Sequence, residues 1–404
     1  MISKDFLKAG HAPTLLSAFL YFDMSFMVWV LLGALSVQIA KDLHLDAAQK
    51  GLMVAVPILA GAALRIVNGF LVDHIGPKKT GLIAQAVVIT GLLIAWLLHI
   101  NSFEAVLVLG AVLGMAGASF AVALPLASRW YPPKYQGVAL GIAGAGNSGT
   151  VFASLFAPTL AKMFGWQAVF GLVAIPLVIV LAVYIIFAKD APDQPPAKTT
   201  AQYLKILKEP DAWWFMLFYG VTFGGFVGLS SSLNIYFNAE YGLTPVTAGF
   251  FTAACVFAGS LVRPVGGSIA DRIGGIRTLS VMYTVAGLAL VIFSFKMPNV
   301  WATLVILMVA MGALGMGNGA VFQLVPQRFR HEMGIMTGLV GAFGGVGGFY
   351  LAATLGFSKQ ATGSYQLGLI GFALLAVVAL AGLTFIKKKW RSTWGALSAN
   401  SVKI

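Results

Sequence analysis

The 404 residues are 59% hydrophobic and only 10% charged, with a formal net charge of +13 and a mean hydropathy of +0.89. Soluble globular chains run near a quarter charged, so a water-soluble domain is excluded. Apolar runs of about 20 residues recur, each long enough to cross a hydrocarbon core of roughly 30 Å, and the alternating ~10-residue segments of a β-barrel are absent. The expected class is an all-α polytopic membrane protein.

Met1 to His11 run into the first apolar span without a small-residue cleavage site, so no removable signal peptide is expected. The spacing then predicts spans near 14–39, 51–72, 80–98, 103–126, 137–162 and 167–187, and again near 212–237, 246–269, 278–295, 301–325, 334–357 and 364–386. That is two six-helix bundles, 1–188 and 212–386, joined by a linker at 189–211 and followed by a tail at 387–404. The linker, KDAPDQPPAKTTAQYLKILKEPD, starts proline-rich, and its AQYLKILK stretch fits a short interfacial helix.

Of the 26 Lys and Arg, nineteen fall on the side of the termini, five on the other (Lys41, Lys50, Lys162, Lys296 and Lys359), and Arg65 and Arg263 lie within spans. The positive-inside rule then puts both termini in the cytoplasm of a plasma (inner) membrane. It also accounts for the net charge without nucleic acid, leaving the lipid bilayer as the surrounding partner. Cys255 is the single cysteine, so neither a disulfide nor a thiolate metal site is expected. His11, His44, His74, His99 and His331 all fall in loops or at span ends, against a histidine relay or haem. No cofactor or metal is expected, and a monomer is.

The chain repeats itself at an offset of 198 residues. RIVNGFLVDHIGPKK (65–79) aligns with RPVGGSIADRIGGIR (263–277), VLGMAGASF (112–120) with VAMGALGMGN (309–318), shifted by one residue at its start, and AGAGNSG (143–149) matches VGAFGGVG (340–347). Parallel repeats of this kind form transporters with a substrate site between the halves near the bilayer midplane. At about 1.5 Å of rise per residue, Arg65, Arg263, Asn147, Phe120, Tyr219 and Asp23 all come out roughly 12–15 Å from the termini-bearing surface.

A charge at mid-membrane is a functional candidate. Arg65 and Arg263 carry planar forks suited to a planar or tetrahedral oxyanion; otherwise each caps carbonyls or pairs with an acid. The Asn147 amide either donates to the anion or bonds a neighbouring helix. Phe120, Tyr219 and Phe223 either sandwich a flat anion or pack as ordinary core. Asp23, the sole carboxylate within a span, has two readings: a desolvated proton carrier, or a structural partner of an arginine.

GAGNSG satisfies GxGxxG but lies inside a span, so a dinucleotide site fails on context. Its glycines Gly144, Gly146 and Gly149, with Gly341, Gly344, Gly345 and Gly347 in the second half, read instead as a moving interface between the halves. In the charged turns, Asp73 with Lys78 and Lys79, and Asp271 with Arg272 and Arg277, read as conformational latches.

The stretch GFLVDHIGPKK (69–79) and its copy at 267–277 resemble the loop motif of the major facilitator superfamily. AGAGNSG, VGAFGGVGG and the two span arginines resemble the signatures of its nitrate/nitrite porter family. The resemblance implies the major facilitator fold of twelve transmembrane helices. It further implies that Arg65 and Arg263 clamp the anion, that Asn147 contacts it, and that Tyr219, Phe223 and Phe120 surround it. Asp23 falls outside that set and resembles a subgroup thought to be proton-coupled. The expected function is import of nitrate, and of nitrite, by alternating access with proton symport. Nitrate/nitrite exchange and transport of small organic anions such as formate or oxalate are the alternatives. No enzymatic motif is present.

Overall fold

The computed structural model describes residues 4–192, 199–329 and 332–394. The proline-rich start of the linker at 193–198, His331 and the tail from residue 395 lie outside them. Among the described residues, twelve helices are long and apolar enough to span a membrane: α1 (Ala12–Trp29), α2 (Ala47–Ile75), α3 (Pro77–Leu97), α4 (Phe103–Ser128), α5 (Ala139–Phe164), α6 (Trp166–Phe187), α7 (Pro210–Tyr241), α8 (Pro245–Ile273), α9 (Gly275–Ser294), α10 (Val300–Arg328), α11 (Met333–Thr362) and α12 (Gln366–Ser392). Helix Thr200–Ile206 falls in the expected interfacial stretch of the linker.

Most helices outrun their predicted spans, because helical hydrogen bonding continues past the apolar window. Helix α7 reaches Tyr241 and α12 reaches Ser392. Local sequence sets the ends. Asp46 and Gln49 form a reciprocal capping box at the start of α2. Gly76 and Gly274, at equivalent places in the repeat, take φ of 85° and 100°. Side chains resist that backbone, so only glycine permits these hairpin turns into α3 and α9.

Several spans are interrupted. The first continues beyond α1 as Leu31–Ala34 and Ser36–Asp42. Helix α5 contains a 3₁₀ turn, Ala145–Ser148, and α8 breaks at Val262, immediately before Arg263.

The repeat is visible in contacts as well as in sequence. A Cβ on Gly114 would press on Ala60 and Gly61. At the same offset, one on Gly312 would meet Ala258 O at 3.9 Å. Helices α1–α6 and α7–α12 thus form two pseudo-symmetric bundles.

The bundles meet tightly at the end away from the termini. A Cβ on Gly51 would lie 2.7 Å from Gly356 Cα, and one on Gly249 would lie 2.5 Å from Ser154 O. The Asn234 amide donates to Ala34 O, and Ala47 N to Gln360 Oε1 at 3.1 Å. Nearer the termini the halves part: a Cβ on Gly141, Gly144, Gly334 or Gly338 would meet nothing within 4 Å. The halves are closely packed at one end and leave open space between helices at the other, where Gly141 and Gly334 are exposed although Gly144 and Gly338 are themselves buried.

Candidate anion site between the halves

Arg65 is 1% exposed. Its Nε donates to Gly117 O of α4 at 3.0 Å, and its Nη1 donates to Gly341 O of α11 across the interface. The guanidinium carbon lies 5.1 Å from the Trp29 ring, 5.6 Å from Phe120 and 4.9 Å from Phe223, an aromatic cage that favours a cation. The carbonyl-capping reading therefore holds for two of its nitrogens, while Nη2 is buried without a partner.

Arg263 is only half-buried. Its Nη2 donates to the Tyr219 hydroxyl at a long 3.4 Å, and its Nη1 is buried without a partner. Its guanidinium carbon lies 5.8 Å from Phe120 and 5.6 Å from Phe322. One ring, Phe120, therefore touches both guanidiniums, and both arginines point to the centre of the molecule. Among the described residues neither makes an ion pair with a carboxylate.

Asn147 sits on the 3₁₀ turn, 1% exposed, with neither Oδ1 nor Nδ2 partnered. Three glycines within six residues weaken the α-helix there and let α5 lie on α1. A Cβ on Gly146 would be 2.9 Å from Asp23 N, and one on Gly149 would collide with Asp23 O. The next residue, Ser148, donates its hydroxyl to Asp23 Oδ1 at 2.7 Å. Asp23 is 3% exposed, and no described arginine pairs with it. The arginine-partner reading of Asp23 is not what the structure contains.

The aromatic residues assemble differently from a simple sandwich. Tyr219 and Phe223 stack on each other, with centroids 5.0 Å apart and planes 4° apart. Phe223 continues the stack onto Trp29 at 6.3 Å, and Phe322 sets its edge to Tyr219 at 5.0 Å. Phe120 faces this wall and packs against Phe322 at 5.8 Å.

Three contributors escaped the sequence reading: Trp29, Phe322 and the unpartnered amide of Asn318. Trp29 was recognisable as a tryptophan far from either span end. Asn318 was recognisable as the residue 198 positions after Phe120.

The expected glycine interface divides into three groups. Gly146 and Gly149 pack against α1 within the first half, and Gly344 and Gly347 against α7 within the second. Gly341 and Gly345 alone of the seven approach the other half, at Arg65 and Ala62, while Gly144 faces open space. Most of these glycines therefore serve close packing inside a bundle, because a helix crossing needs room wherever it occurs.

In the first half the latch residues reach neighbouring helix ends rather than one another. Asp73 pairs with Arg129, just past the end of α4, at 3.1 Å, not with Lys78 or Lys79. The turn at Gly76 carries both lysines away: Lys78 Nζ donates to Ile185 O and its backbone N to Asp190 Oδ1, while Lys79 is exposed. Asp271, Arg272 and Arg277 are exposed and form no ion pair with one another or with any described residue. A different clamp closes the second half at this end: Arg328, at the end of α10, is bonded to Asp211 at 2.7 Å and Glu209 at 3.1 Å at the start of α7.

The centre is thus doubly cationic, walled by aromatic rings and supplied with free planar donors. Like charges at low dielectric repel strongly, so a small anion between them is the natural counter-charge.

A family model described as Major Facilitator Superfamily matches residues 17–352. The chain is similar to a nitrite extrusion protein of Bacillus subtilis, 34% identical over 363 residues, covering 89% of this chain and 90% of that one. It is similar to a probable nitrate/nitrite transporter of Mycobacterium tuberculosis, 34% identical over 384 residues, covering 93% and 96%. It is also similar to a probable nitrate/nitrite antiporter of Thermus thermophilus, 30% identical over 395 residues, covering 89% and 88%. A bacterial homolog to the human lysosomal transporter Spinster, solved in an inward-facing and unoccupied conformation, shares the fold with a TM-score of 0.73 at 17% identity, covering 96% and 98%.

Proposed function

Because the chain belongs to the Major Facilitator Superfamily and, within it, to the nitrate/nitrite porter family, we propose that it carries nitrate and nitrite across a bacterial plasma membrane by rocking its two halves around Arg65 and Arg263. The observation that carries this reading is the pair of inward-pointing guanidiniums, one per half, sharing Phe120 and each keeping a buried nitrogen free. Asn147 lends an amide, and Phe120, Tyr219 and Phe223 exclude water and match a flat solute. Nineteen basic residues on the side of the termini support placing that side in the cytoplasm. The open end is then the inward one, and the protein works as a monomer.

Uptake of a monovalent anion against about −150 mV costs roughly 3.5 kcal/mol, from about 2.3 per 100 mV. Import therefore needs protons or exchange. Asp23, buried and held by Ser148 next to Asn147, supports proton symport. A single carboxylate carries one proton, and an electrogenic inward drive needs two, so exchange against internal nitrite stays the second reading. Nitrate added to proteoliposomes without internal nitrite should be taken up and should alkalinise the outside, and Asp23→Asn should abolish that pH change. Uptake that strictly requires internal nitrite overturns symport. Failure of nitrate and nitrite to compete with each other, alongside competition by formate or oxalate, overturns the substrate.

A further inference from the structure

Among the described residues, six buried side-chain nitrogens lack a hydrogen-bond partner: Arg65 Nη2, Asn68 Nδ2, Asn147 Nδ2, Arg263 Nη1, Asn318 Nδ2 and Trp394 Nε1. Three belong to the site already described. Asn318 is the one whose whole side chain is unexplained: it is 0% exposed, and neither its Nδ2 nor its Oδ1 has a partner. An orphaned buried amide costs about 1–3 kcal/mol of desolvation, so its presence calls for a reason.

Its direction follows from its neighbours on α10. A Cβ on Gly317 would meet Thr222 of α7 at 2.6 Å, whereas one on Gly319 would meet Gly267 N of α8 at 2.6 Å. Successive helical positions turn by about 100°, so residue 318 faces a gap between α7 and α8, and the residue one turn on shows which gap it is. Phe322, one turn further along the same face, touches Tyr219 of α7 and Arg263 of α8. The repeat gives the same answer independently. Asn318 is the counterpart of Phe120, the ring that both guanidiniums share.

We propose that Asn318 is a substrate ligand, donating its amide to the anion from the second half as Asn147 does from the first. The inference rests on the anion reading of the centre. The two halves then supply matched sets by different routes. The first uses an arginine on α2, an aromatic on α4 and an amide on α5. The second uses an arginine on α8, an amide on α10 where the first has its aromatic, and glycine on α11 where the first has its amide. The anion meets donors from both halves, which ties its occupancy to their approach.

Asn318→Leu is nearly the same size and removes both polar atoms. The test compares wild type, Asn318→Leu and Asn318→Ser as purified full chains, reading melting temperature without anion and nitrate affinity by calorimetry. The expected result is opposite signs. Asn318→Leu melts higher than wild type because an orphaned amide is gone, yet its Kd for nitrate rises about tenfold, as for loss of one hydrogen bond to a charged group. Asn318→Ser, which keeps a donor, stays within about threefold of wild type by the same reasoning. Wild-type nitrate affinity in Asn318→Leu overturns the inference alone. Absence of nitrate and nitrite binding in the wild type overturns the anion reading, and the inference with it.

Discussion

Arg65 and Arg263 hold equivalent places in the repeat but are bound very differently. Arg65 is enclosed, tied to carbonyls of α4 and α11, and packed against three aromatic rings. Arg263 follows a break in its helix, is half-buried, and has one long bond to Tyr219. A caged guanidinium is pre-organised, whereas a loosely held one can follow its substrate. The first half therefore supplies a fixed anchor and the second a closing arm. One of the Arg65 bonds already crosses the interface, to Gly341, so the anchor also reports where the other half lies.

The largest effect is expected at the anchor. Arg65→Lys keeps the charge but loses the fork and both carbonyl bonds, and nitrate uptake should fall about 100-fold, as for a lost bidentate charge-assisted contact. Arg263→Lys should cost about tenfold, because one long bond to Tyr219 leaves less geometry to lose. Equal losses in the two uptake assays would erase the proposed division of labour. Tyr219→Phe removes only that bond and should raise the nitrate KM about threefold with little change in stability. The smallest effect on binding is expected at the open end. At Gly338 an alanine meets nothing in this conformation, and it should add up to about 1 kcal/mol of helix stability. Since the opposite conformation must close that gap, Gly338→Ala should slow turnover while leaving nitrate affinity unchanged. A faster transporter would contradict the rocking account.

Twelve spans, the midpoint linker and the pair of arginines were legible because each rests on one-dimensional information: apolar run length, polar breaks and a repeat offset. The shared level of Arg65, Arg263, Phe120 and Tyr219, which the structure brings together, was legible too, since helical rise is constant. Rotation about each helix axis was not. Counting residues puts Tyr219 near Arg263, but it does not reveal that Tyr219 stacks on Phe223 or that Phe322 turns inward. The latch shows the same limit. Asp73 sits beside Lys78 and Lys79 in sequence, yet the positive φ of Gly76 reverses the chain and leaves Arg129, more than 50 positions on, as its partner. The glycines were read as one interface because composition does not say which neighbour each helix face meets. Asn147 stands out in the sequence because it lies in the signature stretch AGAGNSG, whereas Asn318 lies in an equally small-residue stretch with no such signature.

The central claim is that two guanidiniums, one from each half, hold a single small anion. Nitrate-induced thermal stabilisation of the purified protein tests it most directly, since a ligand at about 100 times its Kd stabilises by about 2.7 kcal/mol. The account predicts a nitrate-dependent rise in melting temperature for the wild type, roughly half that stabilisation for Arg263→Lys and little for Arg65→Lys at the same nitrate concentration. Equal stabilisation of all three proteins would place the anion elsewhere and contradict the account.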